Sequence, residues 1–188
     1  MVGVLALQGD FAEHLAVLRS CGYPGSEVRS TEDLEDVDAL IIPGGESTTI
    51  LKLIDRFEMR DALKKRISSG MPVFGTCAGA IVLAQEVSDG EPPLGVAPVR
   101  IERNAYGRQR NSFEADLEIP ELGGAVRGVF IRAPVITDPG DAYVMGSWAG
   151  RPVLVRSGNL LLSTFHPELA GEKRVHRYFV EQICEVAV

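Results

Sequence analysis

Residues Ile67–Gln85, ISSGMPVFGTCAGAIVLAQ, are the longest uncharged stretch of the chain, and their reading decides the fold. On length and apolarity alone the stretch could cross a bilayer. Ser68, Ser69, Gly70 and Pro72 break its beginning, however, and Gly75 and Gly79 interrupt the remainder. The spacing instead predicts a turn, a short buried strand at Val73-Phe74, a tight second turn, and a helix over Ala78–Gln85. An apolar strand that runs through glycines straight into an apolar helix belongs to an α/β architecture.

The flanking sequence repeats this alternation. Val2–Leu7 is a continuous apolar run, as expected of a parallel strand buried on both faces. Asp10 with Glu13 has the spacing of a capping box, Phe11, Leu15 and Leu18 recur at helical intervals, and Gly22 suits the helix stop. Ala39–Ile42 reads as another strand, closed by Pro43-Gly44-Gly45, and Ser47 is the expected cap of a helix whose apolar face is Ile50, Leu51, Ile54 and Phe57. A further helix ends at Gly70. From Gly95 to Phe165 the pattern shifts to short β-like runs (Val96–Ile101, Val126–Ile131, Tyr143–Trp148, Pro152–Arg156, Leu160–Phe165), and Glu172–Val186 is helical again. The expectation is one domain over residues 1–188. Its fold class is α/β: three layers around a flavodoxin-like, mostly parallel sheet, with helices on both faces and an antiparallel extension.

Composition narrows the function. The chain has 188 residues, 45% hydrophobic and 24% charged, which is globular rather than disordered, and a formal net charge of −7. A net negative chain lacks the basic face that nucleic acid or anionic membrane would require. The start of the chain shows no basic residue before its apolar run, unlike a secretory signal. Three widely spaced cysteines (Cys21, Cys77, Cys184) make neither a disulfide framework nor a metal site, so reduced thiols and a cytoplasmic location are expected. The 20 glycines exceed the ordinary ~7% usage, which points to unusual backbone turns.

In open α/β sheets, ligands bind beyond the carboxyl ends of the strands, so the loops there are where chemistry belongs. Gly75-Thr76-Cys77-Ala78-Gly79 has the G-x-nucleophile-x-G form of a nucleophile elbow with cysteine as the nucleophile. At a helix N-terminus the unpaired N–H groups and the dipole favour the thiolate, and the N–H of Ala78 faces a developing oxyanion. Cys21 and Cys184 lack this context and read as small apolar residues. A thiolate needs a base. His166-Pro167-Glu168 offers one, because residues two apart on an extended, proline-stiffened chain project to the same side and the carboxylate can orient the imidazole. His14 and His176 lie in helical patterns, where solvated or half-buried roles are expected. Pro43-Gly44-Gly45-Glu46-Ser47 can turn backbone N–H groups toward a ligand as a second oxyanion donor, and it lacks the lysine of a phosphate-binding loop. No cofactor or metal is implied, since no His or Cys cluster has ligand spacing.

Together, the cysteine elbow and His166-Pro167-Glu168 resemble the class I (triad) glutamine amidotransferases. Leu7-Gln8-Gly9 with Glu13-His14, Gly44–Thr49, Glu102-Arg103-Asn104 with Tyr106–Gln109, Ser112–Ala115 and Gly128–Pro134 narrow the resemblance. They are similar to the glutaminase subunits of pyridoxal 5′-phosphate synthase, nearly end to end. That resemblance implies hydrolysis of L-glutamine to L-glutamate and ammonia, with Cys77 as nucleophile, His166 as acid/base and Glu168 as its orienting partner. It implies glutamine binding by Gly45, Glu46, Ser47, Arg103, Ile131 and Arg132, and an oxyanion hole from Gly45 and Ala78. It also implies a barrel-type synthase subunit as partner in a hetero-oligomeric complex that channels the ammonia.

Overall fold

The computed structural model describes residues 1–103 and 112–184. Its elements in chain order are β1 (Val2–Leu5), α1 (Phe11–Ser20), β2 (Gly25–Val28), α2 (Thr31–Glu35), β3 (Ala39–Ile42), α3 (Ser47–Arg56), α4 (Arg60–Ser68), β4 (Val73–Thr76) and α5 (Ala78–Leu83). There follow β5 (Ala84–Val87), β6 (Ala97–Glu102), β7 (Ser112–Ile119), β8 (Gly124–Ile131), β9 (Val135–Asp138), β10 (Tyr143–Trp148), β11 (Arg151–Ser157), β12 (Leu160–Ser163) and α6 (Arg174–Tyr178). The main sheet runs β10-β11-β12-β4-β3-β1-β2. From β2 to β12 every neighbouring pair is parallel, and β11 and β10 add an antiparallel edge. Counted among themselves, the parallel strands have the flavodoxin-like order 2-1-3-4-5.

Alternation along the buried strands assigns both faces of this sheet. In β3, Leu40 and Ile42 face one core while Ala39 and Ile41 face the other; in β12, Leu160 and Leu162 oppose Leu161. The first face is covered by α3, α4 and α5 through Ile50, Leu51, Ile54, Leu63 and Val82, with the small β5-β6-β9 sheet beside them. The second is covered by α1 and α6, through Leu18 and Val175, and by the β7-β8 hairpin. Three layers follow because each face of a central parallel strand must find an apolar cover.

The apolar run at 67–85 is thus a turn, β4 and α5. Among the described residues no helix is long and apolar enough to cross a membrane. The helix stops at Leu83 rather than Gln85. Its last carbonyls, on Val82, Leu83 and Ala84, are captured by the N–H groups of Leu94, Val96 and Gly95, and the chain leaves as β5.

Two caps differ from expectation. Asp10 makes no cap bond to α1. Glu46, not Ser47, caps α3: its backbone is extended, and its longer side chain reaches the N–H groups of Thr48 and Thr49 at 3.2 and 2.7 Å. Periodicity did not reveal β2, α2, β7 or β9, whose short or half-polar runs lie at edges or in the extension. The final helix begins at Arg174, not Glu172, and passes into a π-helical turn at Phe179–Ile183. Val186 lies outside the described residues, as do Asn104 and Tyr106–Gln109.

Strand and helix are packed closely at the elbow. A Cβ on Gly79 would lie 2.0 Å from the carbonyl oxygen of Ile42 on the neighbouring strand, and one on Gly75 would lie 2.7 Å from the backbone of Gly79. Neither obstacle is a side chain that could swing aside. Gly79→Ala should therefore cost at least ~2–3 kcal/mol, read as a lower urea midpoint at unchanged m-value; wild-type stability in that variant would contradict this packing.

Candidate active site

Two adjacent parallel strands deliver the reactive side chains. Strand β4 ends at Thr76, and Cys77 then adopts φ 48°, ψ −100°, a conformation rarely held by a non-glycine residue. Its N–H donates to the Ser163 carbonyl at 2.8 Å, which ties the elbow to the end of β12. That strand leads into His166, whose N–H donates to Val129 of β8 at 2.8 Å. Nδ1 of His166 meets Glu168 Oε1 at 2.7 Å, and both side chains are buried. With Nδ1 committed to the carboxylate, Nε2 is the nitrogen left to serve Cys77, which lines the same cavity and whose Sγ lies 4.0 Å from the Ile131 carbonyl.

Burial alone would lower the pKa of His166. Its interactions with Cys77 and Glu168 outweigh that and carry it up to about 10. Burial lifts the Glu168 carboxyl, against the downward pull of His166. The remaining cysteines have no such setting: both are half-buried, and burial pushes the Cys184 thiol up to about 12.

A cavity of about 340 Å³ opens over these groups. Its lining brings together Gly45, Glu46, Ser47, Cys77, Ala78, Arg103, Ile131, Arg132 and His166, all singled out from the sequence. Glu168 stands behind the imidazole rather than on the wall. Gln8, Asp10, Ile81 and Leu169 complete the lining. The loops after β1 and β3 are stitched together: Gln8 Oε1 accepts from Glu46 N at 2.8 Å, and Asp10 N donates to Gly44 at 3.0 Å. Gly45 holds φ +151°, with Gln8 where its Cβ would stand, and a Cβ on Gly44 would strike the His166 ring at 2.3 Å. Only glycines let this loop lie against the imidazole.

Arg103 is not simply solvated. Its side chain is 19% exposed and contacts Glu46 at 3.3 Å and Asp89 at 3.8 Å. Arg132 is exposed at the mouth with φ 43°. Asp10, spared from capping, places Oδ2 3.5 Å from His166 Nδ1. Asp10, His166 and Glu168 are the one grouping of metal-ligand type among the described residues, their ligand atoms within 4.8 Å of one another. The Nδ1 a cation would need is already bonded to Glu168.

His14 and His176 correct the sequence reading outright. Both are fully buried, with Nδ1 of His14 2.8 Å from Nε2 of His176 and Nε2 of His14 3.1 Å from the Thr76 hydroxyl. Burial and the neighbouring imidazoles hold His14 well below its ordinary range, and burial brings His176 down to about 4, against the pull of Glu172. The signal was in the spacing. His14 lies three residues after Phe11 and four before Leu18, and His176 three before Phe179, so each falls on its helix's apolar stripe.

Residues 4–185 match the SNO glutamine amidotransferase family. The pyridoxal 5′-phosphate synthase subunit PdxT of Pelotomaculum thermopropionicum is 53% identical over 184 residues, 96% of this chain and 94% of that protein. The subunit of the same name from Thermus thermophilus is 51% identical, covering 96% of each chain. A crystal structure described as a glutamine amidotransferase superposes with a TM-score of 0.94 at 51% identity, covering 98% of this chain and 99% of that one. PurLQS from Thermotoga maritima shares the fold, with a TM-score of 0.71 at 18% identity over 96% of each chain.

The histidines set opposite pH limits on stability. His166, at about 10 folded against 6.5 unfolded, contributes fully below pH 6.5, and that share is lost as pH rises toward 10. His176, at about 4, contributes fully above pH 6.5, and that share is lost as pH falls toward 4. The histidine part of the urea midpoint should peak near pH 6.5. Cys77→Ala should flatten its alkaline side and His176→Phe its acid side; unchanged slopes in both variants would contradict these assignments.

Proposed function

The chain belongs to the SNO glutamine amidotransferase family, and on that footing we propose that it is the glutaminase subunit of a pyridoxal 5′-phosphate synthase, hydrolysing L-glutamine to L-glutamate and ammonia for vitamin B6 synthesis. The observation that carries this reading is the cysteine at a strained elbow, sharing one cavity with an imidazole that is itself bonded to a buried carboxylate. We read residues 1–188 as one glutaminase domain.

The reaction follows from the placement of the groups. The Cys77 thiolate attacks the side-chain carboxamide carbon of glutamine, and the carbonyl oxygen becomes an oxyanion. The N–H groups of Ala78, at the start of α5, and of Gly45 stabilise it, and fixed donors aimed at developing charge supply the greatest share of the rate enhancement in many such reactions. The tetrahedral adduct collapses as His166 delivers its proton to the departing nitrogen, which leaves as ammonia and a γ-glutamyl thioester on Cys77. A water, deprotonated by His166, then attacks the thioester carbon, and glutamate leaves as the thiolate reforms. Glu168 holds the imidazole ring in place and stabilises its cation throughout. Glu46, Ser47 and the backbone at Ile131 flank the substrate's chain. Arg103 and Arg132 supply the charge and fork geometry that suit its α-carboxylate.

Ammonia that escapes to water at neutral pH is protonated and ceases to be a nucleophile. A partner is therefore required, and the reading includes a barrel-type synthase subunit, docked over the cavity mouth in a hetero-oligomer, that takes ammonia by a channel. The stitched loops at Gln8-Gly9 and Gly44–Ser47 face that partner.

Ammonia release from glutamine, assayed with the synthase subunit present, should fall at least about a thousandfold in Cys77→Ala. Hydroxylamine should divert the wild-type thioester to γ-glutamyl hydroxamate. Turnover by Cys77→Ala near the wild-type rate, or no hydroxamate, would overturn the covalent route.

A further inference from the structure

The buried pair His14 and His176 has no part in the chemistry just described, yet it touches both halves of it. Nε2 of His14 lies 3.1 Å from the hydroxyl of Thr76, the residue before Cys77. The same nitrogen lies 3.6 Å from Glu168 Oε1, the oxygen that holds His166. One imidazole on α1 therefore stands between the strand that carries the cysteine and the carboxylate that orients the base. Behind it, His14 Nδ1 is 2.8 Å from His176 Nε2 on α6. The ring of Phe74 packs edge-on against both imidazoles, with centroids 6.3 and 5.7 Å away.

The surroundings select one tautomer. Both rings are neutral in this apolar box, so each has one N–H and one lone pair. A lone pair on His14 Nε2 would face the Glu168 carboxylate and be repelled by it. An N–H there points at Thr76 Oγ1 and the carboxylate oxygen, leaving Nδ1 to accept from His176 Nε2–H. Oε1 is the oxygen through which Glu168 is held, by His166 and by this approach of His14, since Oε2 is buried and finds no hydrogen-bond partner among the described residues. At 3.6 Å the His14–Glu168 approach is an electrostatic contact rather than a hydrogen bond. It is also fully buried, where such a contact is weakly screened.

We propose that His14, braced by His176, is a positioning residue of the glutaminase site. Its Nε2–H clamps the Glu168 carboxylate against Thr76 and so keeps the His166 ring aligned on Cys77. A packing role alone would require only an apolar body of the right size, and the second buried imidazole bonded to the first would then have no purpose. Placing the clamp on α1 has a further effect. That helix begins directly after the Gln8–Asp10 loop, which is bonded to Gly44 and Glu46, so the clamp and the oxyanion loop share one rigid element.

The inference rests on the glutaminase reading, and the test separates the two. With the synthase subunit present, His14→Leu should lower kcat roughly tenfold, the worth of one contact to a charged group, with little change in KM for glutamine. His14→Gln, whose amide nitrogen can sit where Nε2 was, should recover most of that loss. Equal loss in both variants, or a loss confined to KM, overturns the inference while Cys77-dependent ammonia release still upholds the glutaminase reading. With only three histidines in the chain, long-range ¹H–¹⁵N spectra of the histidine-labelled wild type decide the tautomer even if His14→Leu fails to fold. A neutral His14 carrying its proton on Nε2 from pH 5.5 to 8, with a shift that moves in Glu168→Gln, is the expected result. An Nδ1–H tautomer, or titration near 6.5, overturns it whatever the enzyme's activity.

Discussion

The site depends on a contact that is permitted only because a side chain is missing. Helix α5 starts so close to β3 that a methyl group on Gly79 would overlap the Ile42 carbonyl, and Gly75, on β4, gives a matching clearance to the backbone of Gly79 itself. The chain can therefore reverse within the few residues between strand and helix. Cys77 takes up the reversal in a conformation with φ 48°. This strain is held by the packing around it: Phe74, Ala78, Ala80 and Val82 are all fully or nearly fully buried, and the Cys77 N–H is fixed to Ser163. A thiol raised on such a turn stands clear of its own backbone, at the start of a helix and at the carboxyl edge of the sheet.

The electrostatics follow from the same geometry. Because β4 and β12 are parallel neighbours in register, Cys77 and His166 leave the sheet side by side. The chain is not extended here as its proline suggested: it turns over residues 167–170, with Ala170 and Glu172 donating to the Pro167 carbonyl, and the turn brings the carboxylate to the imidazole, where burial makes their bond strong. The loop after β3 can lie against the imidazole because Gly44 and Gly45 have no side chains to intrude. Reactivity here is a product of close backbone approach, and the charged groups are few.

Much of this was legible in the sequence. The strands at Ala39–Ile42 and Tyr143–Trp148 have the expected limits: the first is an uninterrupted apolar run, and both are closed by turn residues, Pro43-Gly44 and Ala149-Gly150. The residues expected to bind and turn over glutamine meet around one cavity, with Glu168 behind it, because each stands in a short motif whose local geometry is nearly self-determined. What was not legible depends on distant parts of the chain. The end of α5 is set by N–H groups of residues 94–96, and Glu46 displaces Ser47 as cap because the extended backbone at 46 brings its longer side chain into reach. The burial of His14 becomes visible only when α6, more than 150 residues later, delivers His176 to its ring. A histidine on an apolar stripe is a buried group that needs a hydrogen-bond partner from elsewhere in the chain.

The central claim is that the elbow, and not thiol chemistry in general, makes one cysteine of three the nucleophile. Its most direct test is peptide mapping after brief reaction with a glutamine-shaped electrophile, such as the chloromethyl ketone analogue of glutamine, in the presence of the synthase subunit. The account predicts a single adduct, on Cys77, formed more slowly when glutamine is present and lost in His166→Ala. Adducts of equal yield on Cys21 or Cys184, or labelling of Cys77 indifferent to glutamine and to His166, would contradict it.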